Sequence, residues 1–464
     1  MSDEGQLERI METAVPSFPT YVTLPVCGAT LLLLIYHAVR MRDPYVTFVL
    51  LAVWFRYSIA TLHQYTYPPV VAGLSLIALT SIGVTAIGLA VIGARDLLLR
   101  RLIPIYGIIL VVLVSAASNQ AWVGAINASF KWLYVIVFAI STYRALERHG
   151  SDRIFRALAI VFAGPIVLQW LSVPWGLKTI NEDGSSSYIG GYQHQQALSI
   201  ILLTFLYVTC FTPRLGALAS YFRLAVVAVG LSLANYRTAM LSAALPAASL
   251  AISKLVRKFA RDQTAIVFAF LSVVAVVAFI GIAVLAQERF ADLGTMVDKG
   301  ASLIQPPQDF TGAEKRIFSG RVYLWSLYID AYLNGDVINR LVGFGPESWV
   351  GRFPLYAHNT YISYLYEYGV FGVAAFLWLL LANLFVAVGV RGEDRLMLVL
   401  CHIGFIVLNM ATMAVWTLEG GMLYALLLGQ TWYRRSSAAA RNVSPLSLGT
   451  RLLPDYSLAG APRR

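Results

Sequence analysis

The residues best suited to chemistry in this chain are a set of arginines and one histidine placed where long apolar runs begin or end. Asn235-Tyr236-Arg237-Thr238 separates two such runs, and the next basic cluster lies a whole span away. An arginine there is costly unless it snorkels to the interface, finds a partner or meets an anionic ligand. Arg289, Arg316 and Arg321 lie in a polar segment further on. A guanidinium offers a rigid fork of donors that fits phosphate oxygens. That segment, residues 287–358, carries seven basic and eight acidic side chains, a net charge of −1, so it is no bulk basic patch. Solvated pairing of these charges with neighbouring carboxylates is the other reading.

His358-Asn359-Thr360-Tyr361 closes the polar segment where the next apolar run starts. Helical spacing would put His358, Tyr361, Ile362 and Leu365 on one face. A neutral imidazole is the natural base for a hydroxyl nucleophile, although a capping or interfacial histidine has the same sequence signature. The tyrosines at 356, 361, 364, 366 and 368 read first as an aromatic belt, and Glu367 as a proton acceptor or a polar clamp. Tyr188 to Gln196, with a Gly-Gly pair, His194 and three glutamines, suits either hydrogen bonding to a sugar or an interfacial turn. Arg56, beside Tyr57, reads as structural, as do His63 and His402. Phosphate-loop, HExxH, CxxC and paired acidic nucleotide-sugar motifs are all missing from the sequence, which leaves metal-free, cofactor-free chemistry at a membrane surface.

The elements that must position these groups follow from composition. Of 464 residues, 58% are hydrophobic and 13% charged, against roughly 25% charged in soluble proteins. Apolar runs long enough to cross about 30 Å of hydrocarbon begin near Tyr21, Tyr45, Val70, Leu102, Phe130, Ile154, Ala197, Leu218, Thr238, Ala265, Tyr361 and Leu396. A shorter one covers Gly421 to Tyr433, giving twelve or thirteen spans. Basic groups at Arg40/Arg42, Arg95/Arg100/Arg101, Arg144/Arg148/Arg153, Arg214/Arg223, Lys254 to Arg261 and Arg391/Arg395 all fall on one side. The positive-inside rule makes that side cytoplasmic, with the N-terminus outside. The net charge of +11 is then topological and calls for no nucleic acid. A polar start with Glu4, Glu8 and Glu12 and no basic n-region predicts a retained first span. Cys27, Cys210 and Cys401, all within apolar runs, read as small buried hydrophobes. The expected organisation is transmembrane helices over 1–286, a long outer loop over 287–358, further transmembrane helices over 359–433 and a cytoplasmic, disordered tail over 434–464. Within the loop, Arg321 to Leu333 predicts a helix on or dipping into the interface, and Gly343-Phe344-Gly345-Pro346 a tight turn.

In that order, Arg237-Thr238, Ser319-Gly320-Arg321 with Trp325, Gly343 to Ser348, His358 to Tyr361, and Glu367, Gly369 and Gly372 resemble the O-antigen ligase and polysaccharide repeat-unit polymerase superfamily. The resemblance covers roughly residues 190–378. Tyr236 departs from it, since the family usually has serine before the arginine. The resemblance implies an all-α, polytopic, GT-C-like helical bundle in a bacterial inner membrane, with a long, partly helical periplasmic loop. It implies transfer of a glycan from a polyprenyl-diphosphate carrier to an acceptor hydroxyl. By that resemblance His358 would be the base, and Arg237 and Arg321 would hold the diphosphate; Arg289, which matches no motif of the family, and Arg316, Tyr361, Asn359 and His194 are further candidates for binding substrate. The implied partners are the lipid bilayer, the lipid-linked glycan donor and a glycan or lipid A core acceptor, and a chain-length regulator is admitted. The loop around His194 favours a polymerase narrowly over a ligase. A lipid-linked glycan flippase, the reading from another class, would more naturally line a central cavity with charge.

Overall fold

The computed structural model describes residues 15–71, 73–180, 186–256, 263, 266, 305–312, 314–316, 320–392 and 394–443. Its first helices illustrate how the sequence sets boundaries. α1 (Thr20–Met41) ends at Arg42 in left-handed backbone, and Asp43 then caps α2 (Pro44–Ala60). The Asp43 carboxylate accepts the Tyr45 N–H at 2.8 Å and the Val46 N–H at 3.3 Å, while Pro44, which has no N–H to lose, takes the first helical position. There follow α3 (Leu76–Val91), α4 (Ile103–Asn119), α5 (Trp122–His149), α6 (Ser151–Leu158), α7 (Ala163–Ser172), α8 (Gln195–Cys210), α9 (Ala217–Ala234) and α10 (Arg237–Val256). Beyond residue 305 come α11 (Arg321–Leu333), α12 (Val337–Val342), α13 (Thr360–Val388), α14 (Asp394–Leu408) and α15 (Leu418–Val443).

Helices stand at all the expected span positions except the one beginning near Ala265, which lies outside the described residues. Among the described residues, seven spans are long and apolar enough to cross a membrane, and α2, α3 and α8 are shorter apolar helices. The chain is an all-α polytopic membrane protein. Three boundaries differ from the hydropathy reading, each for a physical reason. Pro69–Val71 pairs with Leu74–Ser75 as a small hairpin, so α3 starts late, capped by Ser75. α5 begins at Trp122 rather than Phe130, because its polar Asn127 and Lys131 face protein: Asn127 bonds Glu347, and Lys131 lies over the Trp416 ring at 4.8 Å. The last span is part of the 26-residue α15. Its polar side chains lower its hydropathy but are satisfied inside the bundle. Gln430 accepts the Ser151 hydroxyl at 2.9 Å, and Thr431 meets His402 at 3.0 Å.

α5 and α15 pack along each other at the centre. Every residue from Tyr134 to Tyr143 and from Glu419 to Trp432 is buried, as expected of helices surrounded by others. Arg56 is structural: its Nε donates to the Glu419 carboxylate at 2.8 Å. At the basic end, Arg148 holds Asp43 at 3.1 Å, Arg144 pairs with Asp96, and Arg101 donates to Ser436 at 2.8 Å. Residues far apart in sequence therefore share that end.

The outer segment builds a small core of its own from Leu324, Tyr328, Tyr332, Ala357, Tyr366 and Met413. α11 has the predicted bounds and packs on α13 through this core. The reason is aromatic: Tyr328 stacks on Phe353 at 4.1 Å and meets Tyr366 edge-on at 5.3 Å. Tyr364, Tyr366 and Tyr368 are likewise buried, so they form no lipid-facing belt.

Candidate functional site at the outer end of the bundle

α13 is interrupted one-third of the way along, at Gly369, where φ is 65° and ψ −161°. The break frees the carbonyls of Tyr366 and Glu367 from helical pairing. Both are taken by the outer segment: Phe344 N–H donates to the Tyr366 carbonyl at 3.0 Å, and Gly345 N–H to that of Glu367 at 3.1 Å. Gly343, at φ 77° and ψ −174°, approaches so closely that a Cβ there would overlap the Glu367 carbonyl and the Tyr368 amide. A Cβ on Gly369 would in turn overlap the Leu341 carbonyl. Both glycines occupy backbone space that is essentially closed to other residues. The buried Glu367 carboxyl completes the joint, accepting the Glu347 N–H at 2.7 Å and the Ser363 hydroxyl at 2.6 Å. Of the two roles anticipated for it, the contacts are those of a clamp. Asn119, at the end of α4, donates to the Gly343 carbonyl at 3.0 Å.

From this joint the chain returns to His358. The Trp325 indole donates to the Ala357 carbonyl at 2.7 Å, and the Tyr328 hydroxyl to that of Leu355 at 2.9 Å, so α11 holds the strand of chain that leads into the histidine. His358 has a left-handed φ of 49° and lies before the cap of α13, not on its face as the spacing suggested. The cap is Asn359, whose side chain accepts from Tyr361 N–H at 2.9 Å and Ile362 N–H at 3.2 Å. Tyr361 then turns away, donating its hydroxyl to the Ile406 carbonyl at 3.2 Å, while Ile362 and Leu365 join the outer core.

The imidazole of His358 is 6% exposed, and its Nδ1 is buried without a hydrogen-bond partner. The Tyr356 ring covers it at 4.1 Å between centroids. Burial, and then the charges of Arg321 and His194, push its pKa down to about 3. Residues 194, 321 and 358, from three separate stretches of chain, thus lie within electrostatic reach of one another. His194 caps α8, its Nδ1 accepting the Gln196 N–H at 3.0 Å. It keeps an exposed edge, and desolvation followed by the Arg321 charge lowers its pKa less far, to about 4.

One element of the site is not visible in the motifs, the link from Asn409 to Thr412 between α14 and α15. Arg321 Nη1 donates to the Ala411 carbonyl at 3.1 Å. Thr360 donates its hydroxyl to the Asn409 side chain at 2.7 Å and its backbone N–H to the Asn409 carbonyl at 3.0 Å. Tyr236, the residue before Arg237, bonds its hydroxyl to that of Thr412. The starts of α10, α11 and α13 are thus moored to neighbouring residues of one link. Its sequence, Asn-Met-Ala-Thr, reads as the fringe of a span, and only the apposition of an asparagine and a threonine hints at polar work. Tyr236, in the place of the expected serine, supplies a longer hydroxyl arm for this mooring.

Arg237 is the exposed first residue of α10. Arg316 ends a 3-10 turn, Glu314–Arg316, and Arg289 lies outside the described residues. Other loop cations sit on rings and carbonyls: Arg352 over Phe344 at 5.0 Å, Lys315 over Tyr323 at 4.9 Å, and Arg340 on the Leu333 carbonyl at 2.6 Å. Among the described residues, none of these three pairs with a carboxylate, the alternative foreseen for them. Among the described residues, no three His, Cys, Asp or Glu side chains gather where they could hold a metal ion.

Residues 222–377 match the family model described as O-antigen ligase. That segment of the chain is similar to the O-antigen ligases. It takes in Arg237, Arg321, His358 and the Gly369 break. No curated protein matches the chain. His194 and the Asn409–Thr412 link lie outside the ligase-family segment, although both adjoin its residues.

Proposed function

We propose that this protein moves a glycan from a polyprenyl-diphosphate carrier to an acceptor hydroxyl at the outer, periplasmic end of the bundle. The observation that carries this reading is the meeting of Arg321 and His194 with a buried, neutral His358. The acceptor oxygen attacks the anomeric carbon, the bond from that carbon to the diphosphate oxygen breaks, and its electron pair leaves with the diphosphate. Arg321, with Arg237, Arg289 and Arg316 as further candidates, neutralises the charge that develops there. The hydroxyl proton passes to His358. In the absence of substrate the Arg321 charge opposes an imidazolium. A diphosphate docked on Arg321 cancels that field, so the donor itself makes His358 a better base. The reaction is written without a metal, and Asn359 and Tyr361 serve it by fixing the start of α13.

The acceptor is proposed to be a second lipid-linked glycan, making the protein a repeat-unit polymerase. Support comes from His194, which brings the hydrogen-bonding segment from Tyr188 to Gln196 up to the base. Transfer to lipid A core is the second reading, favoured by the ligase description of the matched family model. Incubating the lipid-embedded protein with its lipid-linked glycan alone separates the two. A growing ladder of products supports the polymerase, and donor that stays unchanged until core is added supports the ligase. No transfer in either case, from protein that is folded, overturns the proposal.

A further inference from the structure

At the basic end, away from the site above, two cavities run together beside α2. The smaller, about 460 Å³, is lined by Ile35, Val39, Arg42 and Asp43. The larger, about 670 Å³, is apolar and runs between α2 and α3 past Phe48, Phe55, Gly83 and Ile87. Pro44, Thr47 and Leu51 border both, so they form one slot. From Pro44 to Phe55 it is roughly 16 Å deep at 1.5 Å per residue, about half of a 30 Å hydrocarbon core. Trp54 lines its deep end, and its indole N–H donates to the Cys27 carbonyl and the Thr30 hydroxyl, each at 3.1 Å, and so ties α1 to α2.

The mouth is cationic. Arg42 is exposed and has no carboxylate partner among the described residues. Asp43 beside it does not compensate it, since that carboxylate caps α2 and is held by Arg148 at 3.1 Å and His149 at 3.2 Å. An uncompensated arginine above an apolar slot one leaflet deep matches one molecule in length and in charge. We propose that the slot holds an acyl chain of an anionic glycerophospholipid, its phosphate resting on Arg42. The carrier's polyprenyl tail fits less well, because the mouth with Arg42 lies at the end of the bundle opposite the site that would hold its diphosphate.

The test uses the full-length protein reconstituted in nanodiscs of equimolar phosphatidylglycerol and phosphatidylcholine, with retained lipid read by native mass spectrometry. The expected preference for phosphatidylglycerol is roughly fivefold, the scale of one basic residue at an anionic surface. Arg42→Glu should abolish that preference. Gly83→Leu should lower retention of both lipids, since a Cβ on Gly83 meets nothing within 4 Å and the leucine fills the slot without displacing protein atoms. Unchanged circular dichroism in both variants excludes misfolding as the cause. Equal retention of the two lipids by the parent protein, unaltered retention in Gly83→Leu, or recovery of a polyprenyl lipid in place of the phospholipid would each overturn the assignment.

Discussion

Substituting Gly343 by alanine tests how the outer segment is joined to the bundle. Two separate penalties arise. The backbone at φ 77°, ψ −174° is strained for alanine, by about 1–3 kcal/mol. The new methyl also meets the carbonyl of Glu367, a helix backbone that cannot yield, so the turn must lift. Lifting it breaks the Phe344 and Gly345 N–H bonds at 3.0 and 3.1 Å and leaves the Tyr366 carbonyl without a partner, at about 1–3 kcal/mol, while the Glu367 carbonyl keeps the Ser115 hydroxyl at 2.8 Å. The sum is roughly 2–6 kcal/mol, a large part of the usual 5–15 kcal/mol margin. Gly351→Ala is the control, since Gly351 also has a positive φ of 73° but open space around it, and should lose only about 1–2 kcal/mol. Unfolding of purified protein in one detergent, followed alongside glycan transfer, measures both. Gly369→Ala should resemble Gly343→Ala, and the double variant should fall short of the sum because both lesions break one contact. If Gly343→Ala proves no less stable than Gly351→Ala, the close approach is not what holds the turn.

Three further outcomes follow from the site and its supports. His358→Ala should reduce transfer by roughly 100-fold or more while the protein still reaches the membrane; full transfer would remove His358 as the base. Because folding holds the His358 pKa at about 3 against 6.5, its contribution to stability is complete above pH 6.5 and is lost as pH falls from 6.5 to 3. That slope is at most about 1.4 kcal/mol per pH unit, and His358→Gln should flatten unfolding curves taken between pH 7 and 4. Thr412→Val should lose about 0.5–1.5 kcal/mol by removing the hydroxyl contact with Tyr236. Adding Tyr236→Phe should recover part of that loss, and strictly additive losses would mean the two hydroxyls do not interact. Arg56→Met should cost about 3–5 kcal/mol in thermal unfolding, because it leaves Glu419 buried and unpaired; a loss under 1 kcal/mol would show that the pair is open to water.

Much of the bundle is legible in the sequence because a span is read from length and apolarity, which do not depend on neighbours. Where helix boundaries shifted, at Asn127, Lys131 and Gln430, polar side chains had found protein partners that hydropathy cannot register. His358, Arg321 and His194 stand out in sequence as residue types at run ends. Their meeting does not, since it depends on how α8, α11 and α13 are placed. The Asn409–Thr412 link was invisible for the same reason: its work is done mainly by backbone carbonyls, which every residue possesses. Helical spacing misled at His358, because a side-chain cap at Asn359 starts α13 one residue later and leaves the histidine in left-handed backbone.

The joint at Gly369 also bears on the order in which the protein is made. A membrane helix must satisfy its own backbone groups before it can rest in lipid, and a bare break leaves carbonyls that hydrocarbon cannot serve. Here the donors for those carbonyls, Phe344 and Gly345, precede the break in the chain, as does Asn119, which fastens the turn. When α13 leaves the ribosome, the segment that completes it has already been translated. A circularly permuted chain in which α13 came first would have to insert the break unsupported and wait for its partner.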